Sequence, residues 1–152
     1  MSELSPITNE EKRQVYATLQ SKLKTAIHQE FYLEAVLLEG AIIEDRITSL
    51  LKHRNSNYLI KNPNPQISRQ LTKVKNILPG EMDLQKRVPL TLVEEIIAWR
   101  DVRNALVHRS CQRIYQSDEV KSCALEGKEL VRKLCNAVSK ANLYHQKTQN
   151  NQ

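Results

Sequence analysis

Residues 31 to about 53 constrain the fold most, because their apolar side chains recur on a wide arc of a helix. Such an arc predicts contacts with neighbours on more than one side, as at the centre of a bundle or at a dimer seam. Gly40 lies inside the helix and is expected to mark a close approach to a neighbouring helix. The apolar positions of the arc are Leu33, Val36, Leu37, Ala41, Ile42, Ile43, Ile47, Leu50 and Leu51.

Four other segments show helical spacing, and they span residues 8–28, 67–78, 90–109 and 117–144. Thr8, followed three residues later by Glu11, predicts a capping box that opens the first helix. Three glycines and five prolines among 152 residues favour long helices with few turns. The sequence therefore predicts an all-α, up-and-down bundle of about five helices. We expect this bundle to be a single domain over residues 1–147, followed by a frayed polar tail at 148–152.

The longest predicted connection is the loop at residues 54–66, which is rich in asparagine and contains Pro63 and Pro65. A loop of this length in a compact bundle is a candidate for ligand contact or for mobility. Tyr58 within it either stacks on a base or anchors the loop, and anchoring is the favoured interpretation.

Several classes of protein are disfavoured by the sequence. No run of 18 apolar residues is present, which predicts no transmembrane span, and the polar, acidic start predicts no signal peptide. Cys111, Cys123 and Cys135 are spaced at intervals of twelve, which suits reduced thiols in the cytoplasm better than disulfides. Neither a metal-ligand spacing nor a phosphate-binding glycine loop is visible, so no metal and no cofactor are expected.

The net charge of +6 is concentrated in two parts of the chain. Residues 52–78 carry six bases and no acid, and residues 100–152 carry ten bases and five acids. Two basic segments predict a polyanionic partner such as RNA, although a merely solvated basic surface is the alternative. The residues predicted to contact RNA are Lys52, Arg54, Lys61, Arg69 and Arg109.

Polar residues enter the apolar helix at 90–109 near its end. Arg100, Asn104 and His108 are four residues apart and fall on nearly one line of a helix. Arg103 lies beside this line, and its long side chain can curl toward the same space. An arginine and a histidine held together near a helix end are a plausible phosphate clamp and proton shuttle.

This combination of side chains is sufficient for RNA cleavage without a metal, because RNA carries its own nucleophile in the 2′-hydroxyl. His108 can act as general base or acid near neutral pH, and Arg103 can stabilise charge on the phosphate. Asn104 can orient His108 or hold a phosphate oxygen. The expected products are a 2′,3′-cyclic phosphate and a 5′-hydroxyl.

Supporting roles are predicted for Arg100 and for an acid, Glu44 or Asp45. The acid would orient Arg103 or Arg100 from across the bundle. The alternative is structural. His108 and Arg109 would then complement the helix dipole, and the arginines would form ion pairs that hold helices together.

The segment from Arg103 to His108, RNALVH, resembles the signature of the HEPN superfamily. That signature is an arginine, usually followed by a polar residue, with a histidine closing it after four to six residues. Residues 31–51 also resemble the second helix of HEPN proteins, with an aromatic start and acidic residues midway. The resemblance implies a small all-helical protein, often a bacterial ribonuclease of the toxin or phage-defence kind.

In HEPN ribonucleases the motif pairs across a two-fold axis. The resemblance therefore implies a homodimer with a shared site, and a cognate antitoxin is a possible further partner. Two alternatives stay open: an HEPN protein that binds RNA or a nucleotide without catalysis, and a helical dimeric adaptor with no RNA affinity.

Overall fold

The computed structural model describes residues 7–110 and 117–152, and all regular structure within these ranges is helical. The predicted all-α class is therefore confirmed. The helices are α1 (Asn9–His28), α2 (Tyr32–Arg54), α3 (Tyr58–Lys61), α4 (Ile67–Ile77), α5 (Met82–Arg87), α6 (Leu90–Ser110) and α7 (Ser117–Asn150). A short 3-10 turn, Leu78–Gly80, follows α4.

The start of α1 is fixed by the predicted capping box. The Thr8 hydroxyl accepts a hydrogen bond from the backbone N–H of Glu11 at 3.1 Å. The Glu11 carboxylate in turn accepts one from the backbone N–H of Thr8 at 2.7 Å. Both bonds satisfy N–H groups that the first helical turn leaves without partners, so this prediction is confirmed.

Contacts between the four long helices show that α1, α2, α6 and α7 alternate in direction. Lys12 of α1 lies 3.8 Å from Asp45 of α2, as expected for an antiparallel pair. The Trp99 indole N–H of α6 donates to the backbone carbonyl of Cys123 in α7, and Glu95 lies 3.9 Å from Lys133. α6 and α7 are therefore antiparallel as well.

α2 packs against α1, α4, α6 and α7, which explains why its apolar arc is so wide. Contacts on more than one side of this helix were predicted, and the structure confirms them. The largest fully buried apolar side chains come from several helices and include Ile42, Ile47, Leu50, Leu71, Ile96 and Leu134.

Two short helices, α3 and α5, lie in segments that were predicted to be loops. Tyr58 of α3 is buried, and the Lys73 ammonium lies 4.9 Å from the centre of its ring. The structure thus agrees with the anchoring interpretation of Tyr58. The predicted turn between the last two long helices falls mostly on residues 111–116, outside the described residues.

α7 continues to Asn150, so its predicted end at about residue 144 is wrong. Tyr144 explains the difference, because it ties this part of α7 to α5. Its hydroxyl donates to the Asp83 carboxylate at 3.3 Å, and the Arg87 guanidinium lies 3.7 Å from its ring centre. Farther on, the Thr148 hydroxyl donates to the His145 carbonyl.

None of the helices in the described ranges is long and apolar enough to cross a bilayer. Cys123 is buried, Cys135 is half-buried, and both are free thiols. Cys111 lies outside the described residues.

Candidate active site

A groove of about 170 Å³ runs between α2 and α6, with Ile67 of α4 beside it. Glu44 of α2 lies on its rim, and Arg100 and Arg103 enter it from α6. The rest of the lining is apolar or lacks a large side chain, and comprises Leu37, Gly40, Ala41, Ile43, Ile96 and Trp99. The two arginines therefore present their charge in a partly apolar cleft, where electrostatic interactions are stronger than in open water.

Arg103 is held in the groove by a hydrogen bond to Asn104 and fits there because Gly40 has no side chain. Its Nη1 donates to the Asn104 Oδ1 atom at 2.9 Å. A Cβ atom built on Gly40 would lie 3.0 Å from the Nη2 atom and 3.2 Å from the Cζ atom of Arg103. Gly40 therefore leaves the space that the guanidinium occupies, so the close approach predicted at Gly40 involves this side chain.

The Nε atom of Arg103 is buried, and no hydrogen-bond acceptor meets it among the residues that the structure describes. A buried donor without a partner costs roughly 1–3 kcal/mol. Nε faces α2, because a Cβ atom on Gly40 would lie 3.2 Å from it.

Asn104 and His108 occupy successive turns of α6. A guanidinium only donates hydrogen bonds, so the amide oxygen of Asn104 must face Arg103, and its NH₂ group is the part left to donate elsewhere. Asn104 is half-buried, whereas His108 is exposed in the last turn of the helix. The observed bond thus links the amide oxygen of Asn104 to Arg103.

Gly40→Ala tests whether the position of the Arg103 guanidinium matters. Alanine stabilises a helix interior by roughly 1 kcal/mol relative to glycine, so the variant is expected to fold. The new methyl group must displace the guanidinium by a few tenths of an ångström. If the cluster cleaves RNA, as the sequence predicts, the rate of cleavage should fall about tenfold, since small misplacements of a catalytic group are costly.

The matched control for this variant is Ala41→Gly, which changes the neighbouring position in the opposite sense and places no new atom beside Arg103. Rates of cleavage and urea unfolding curves are measured for both variants. An unchanged cleavage rate in a folded Gly40→Ala protein would show that the position of the guanidinium is unimportant.

A fully buried carboxyl group, Glu39, lies behind the groove. Neither of its carboxyl oxygens has a hydrogen-bond partner among the described residues. The carboxyl packs so closely on Gly127 of α7 that no Cβ atom fits there, and Trp99 closes the same space. Gly127 therefore allows α7 to approach α2 at this point.

Burial raises the pKa of Glu39 to about 9, although the nearby Lys128 opposes the shift. The carboxyl group is consequently protonated and neutral at pH 7. Burial, together with Glu39 and Glu126, raises the pKa of the Cys123 thiol to about 11, while Arg103 acts in the opposite direction. Cys123 is therefore a protonated, inert thiol near neutral pH.

Sequence reasoning missed Glu39, although a signal was present. Glu39 is three residues from both Val36 and Ile42, so it shares their buried face of α2. A carboxyl group on such a face has either a buried partner or a raised pKa, and each of these is a signal of a candidate functional site.

Of the residues predicted to support the cluster, Arg100 and Glu44 line the groove, and Asp45 does not. Arg100 lies 3.9 Å from the exposed Asp101 carboxylate. Asp45 instead accepts from Arg46 at 2.5 Å and lies near α1, so the structure does not bring it to Arg100 or Arg103.

The five basic residues predicted to contact RNA are distributed over α2, α3, α4 and α6. Lys52 borders a groove between α1, α2 and α7, whereas Arg69 borders a shallow depression on α4. Lys61 and Arg109 are exposed at the ends of α3 and α6.

Arg54 is the least available of the five, because it is half-buried and forms an ion pair with Glu81. Burial also lowers the pKa of its guanidinium.

No group of three or more histidine, cysteine, aspartate or glutamate side chains is arranged to hold a metal ion within residues 7–110 and 117–152. Comparison of the chain with protein-family models, curated proteins and solved structures finds no match. The likeness to HEPN proteins therefore depends on residues 31–51 and 103–108 alone.

Proposed function

We propose that this protein is a metal-independent endoribonuclease of the HEPN type, acting in the cytoplasm as a toxin or in phage defence. The observation that carries the proposal is the arrangement at the end of α6. There the Arg103 guanidinium is bonded to Asn104, keeps a buried N–H that has no partner among the described residues, and lies on the same helix end as His108.

Arg103 supplies a fixed positive charge for the phosphate that is attacked. The planar fork of an arginine guanidinium suits two phosphate oxygens at once. Asn104 holds Nη1 and Nε is buried, so Nη2 is the donor that remains for the charge that develops in the transition state.

His108 moves the protons. As a neutral imidazole it accepts the proton of the 2′-hydroxyl, and the resulting oxygen attacks the adjacent phosphorus. The bond from phosphorus to the 5′-oxygen breaks, and that oxygen takes a proton from an imidazolium. The products are a 2′,3′-cyclic phosphate and a 5′-hydroxyl.

In a homodimer with a shared site, the second chain supplies its own arginine and histidine to the same reaction. Two exposed apolar side chains lie close to Arg103 in the fold or in the chain. Leu37 of α2 lines the arginine groove, Val102 precedes Arg103 in α6, and both are available for a second copy of the chain. Pairing of this face would bring two Arg103–His108 sets together. It would also cover apolar surface that is otherwise in contact with water.

His108→Ala tests the assignment. We expect the protein to cleave total RNA in the presence of a chelator, and we expect the variant to be at least about 10²-fold slower while still binding RNA. His28→Ala, an exposed histidine at the end of α1, is the matched control and should cleave at the normal rate. Rates are measured by gel, and oligomeric state is measured by sedimentation on the same samples.

The alternatives give different results in this assay. RNA binding without cleavage by the unaltered protein would favour a non-catalytic RNA-binding protein. Absence of both would favour an adaptor. An active monomer would contradict the shared site.

A further inference from the structure

A second basic groove, of about 430 Å³, lies where α5, the first half of α6 and the middle of α7 meet. We call it the α5–α7 groove. Its charged lining consists of Lys86, Arg87, Arg132, Lys133, Lys140 and a single acid, Glu95. None of these residues belongs to the arginine–histidine cluster or to the five positions predicted to contact RNA.

Most of this charge is not neutralised by acidic side chains. Arg132 is bound by Glu129 with two hydrogen bonds, and Lys133 lies 3.9 Å from Glu95, a weak exposed pair. No carboxylate in the described part of the chain lies within 4 Å of Lys86 or Lys140.

Of the two arginines in the groove, Arg87 is held in place by neighbouring groups. The Arg87 guanidinium stacks on the Tyr144 ring at 3.7 Å, and its Nη1 donates to the Asp83 backbone carbonyl at 2.8 Å. Both contacts restrict the guanidinium without neutralising its charge. Lys133 and Lys140 are two helical turns apart on α7, about 10 Å, so the positive charge extends along the groove.

We propose that the α5–α7 groove binds the phosphate backbone of RNA, away from the place of cleavage. This inference rests on the proposed function for the identity of the polyanion. Glu95 and Arg103 are about 12 Å apart along α6, so one RNA molecule can reach both the groove and the cluster. Contacts of this kind add affinity without reading the base sequence.

The features of the groove favour RNA over an anionic membrane. None of the large exposed apolar side chains, such as Met82 or Leu143, lines it, so an apolar anchor for a bilayer is lacking there. Its floor is formed by Leu92 and Ala137, which are buried. Thr91 and Asn136 offer neutral donors beside the cations, as phosphate sites commonly do.

The test is a double charge reversal, Lys86→Glu with Lys140→Glu. Lys22→Glu with Lys24→Glu changes the net charge equally on the exposed surface of α1 and is the control. All variants carry His108→Ala, so binding of a single-stranded RNA oligonucleotide is measured without cleavage. Circular dichroism checks folding, and Lys86→Gln with Lys140→Gln is a milder second variant.

We expect the groove variant to bind about tenfold more weakly or worse at about 0.1 M salt, and its affinity to depend less steeply on salt. The control should stay within about twofold of the parent. Equal losses in both variants, or no loss in the groove variant, would overturn the inference.

Three further outcomes are also decisive. If the groove reversal abolishes binding to phosphatidylserine vesicles and spares RNA, the assignment to RNA is wrong. If the parent neither binds nor cleaves RNA, the proposed function itself fails. If the parent cleaves RNA but the groove variant binds normally, only the groove inference fails.

Discussion

Replacing Arg103 by alanine is expected to lower the rate of RNA cleavage by about 10²- to 10³-fold. The guanidinium is the cation that the structure holds in the groove, through Asn104 and the space at Gly40. Alanine removes the charge and the remaining donor, Nη2, at once. Stability should change little, because removal of the side chain also removes a buried N–H that lacks a partner.

Arg103→Lys separates charge from geometry. Lysine keeps the positive charge but has a single donor group, so it cannot bond to Asn104 and present a fork to phosphate at the same time. We expect this variant to recover only a small part of the lost rate. Arg13→Ala, an exposed arginine on α1, is the control and should cleave normally. If Arg103→Ala cleaves as fast as the parent, the role assigned to the guanidinium is wrong.

Stability should fall as the pH rises from about 5 to 9, and Glu39→Gln should remove much of this fall. The pKa of Glu39 is about 9 in the folded protein, against an ordinary value of 4.5. Between these values the unfolded chain binds fewer protons than the folded chain at this site. The free energy of unfolding therefore decreases with pH.

The size of the effect follows from the same linkage. Each pH unit in this window costs about 1.4 kcal/mol, so the change from pH 5 to pH 8 is roughly 4 kcal/mol for this group. Urea unfolding at several pH values measures the slope for the parent and for Glu39→Gln. Glu34→Gln, five residues earlier on α2 and exposed, is the control. A slope that is identical in the parent and in Glu39→Gln would show that Glu39 is not buried in its protonated form.

The long helices could be predicted because their signals are local. The capping box at Thr8 and the apolar spacing of α2 depend on residues a few positions apart. α3 and α5 could not be predicted in the same way, since helices of four and six residues are too short to show periodicity. The extension of α7 depends on Tyr144 meeting Asp83, a contact between residues far apart in the chain.

For the candidate site, too, local spacing could be predicted from the sequence, whereas contacts between helices could not. Spacing placed Arg103, Asn104 and His108 at one helix end, and the structure has them there. It could not show that Asp45 turns toward Lys12 and Arg46, because two adjacent helical residues face directions about 100° apart and either could have faced α6. Nor could it place Glu39 against Gly127, a contact that depends on how α2 and α7 pack.

The most direct test of the account is the chemistry of the RNA ends. The protein and its His108→Ala variant are incubated with RNA in chelator, and the termini of the fragments are identified by mass spectrometry. The account predicts 2′,3′-cyclic phosphates and 5′-hydroxyls from the parent and almost no fragments from the variant. Fragments with 5′-phosphates and 3′-hydroxyls, or the same fragments in equal yield from the variant, would contradict it.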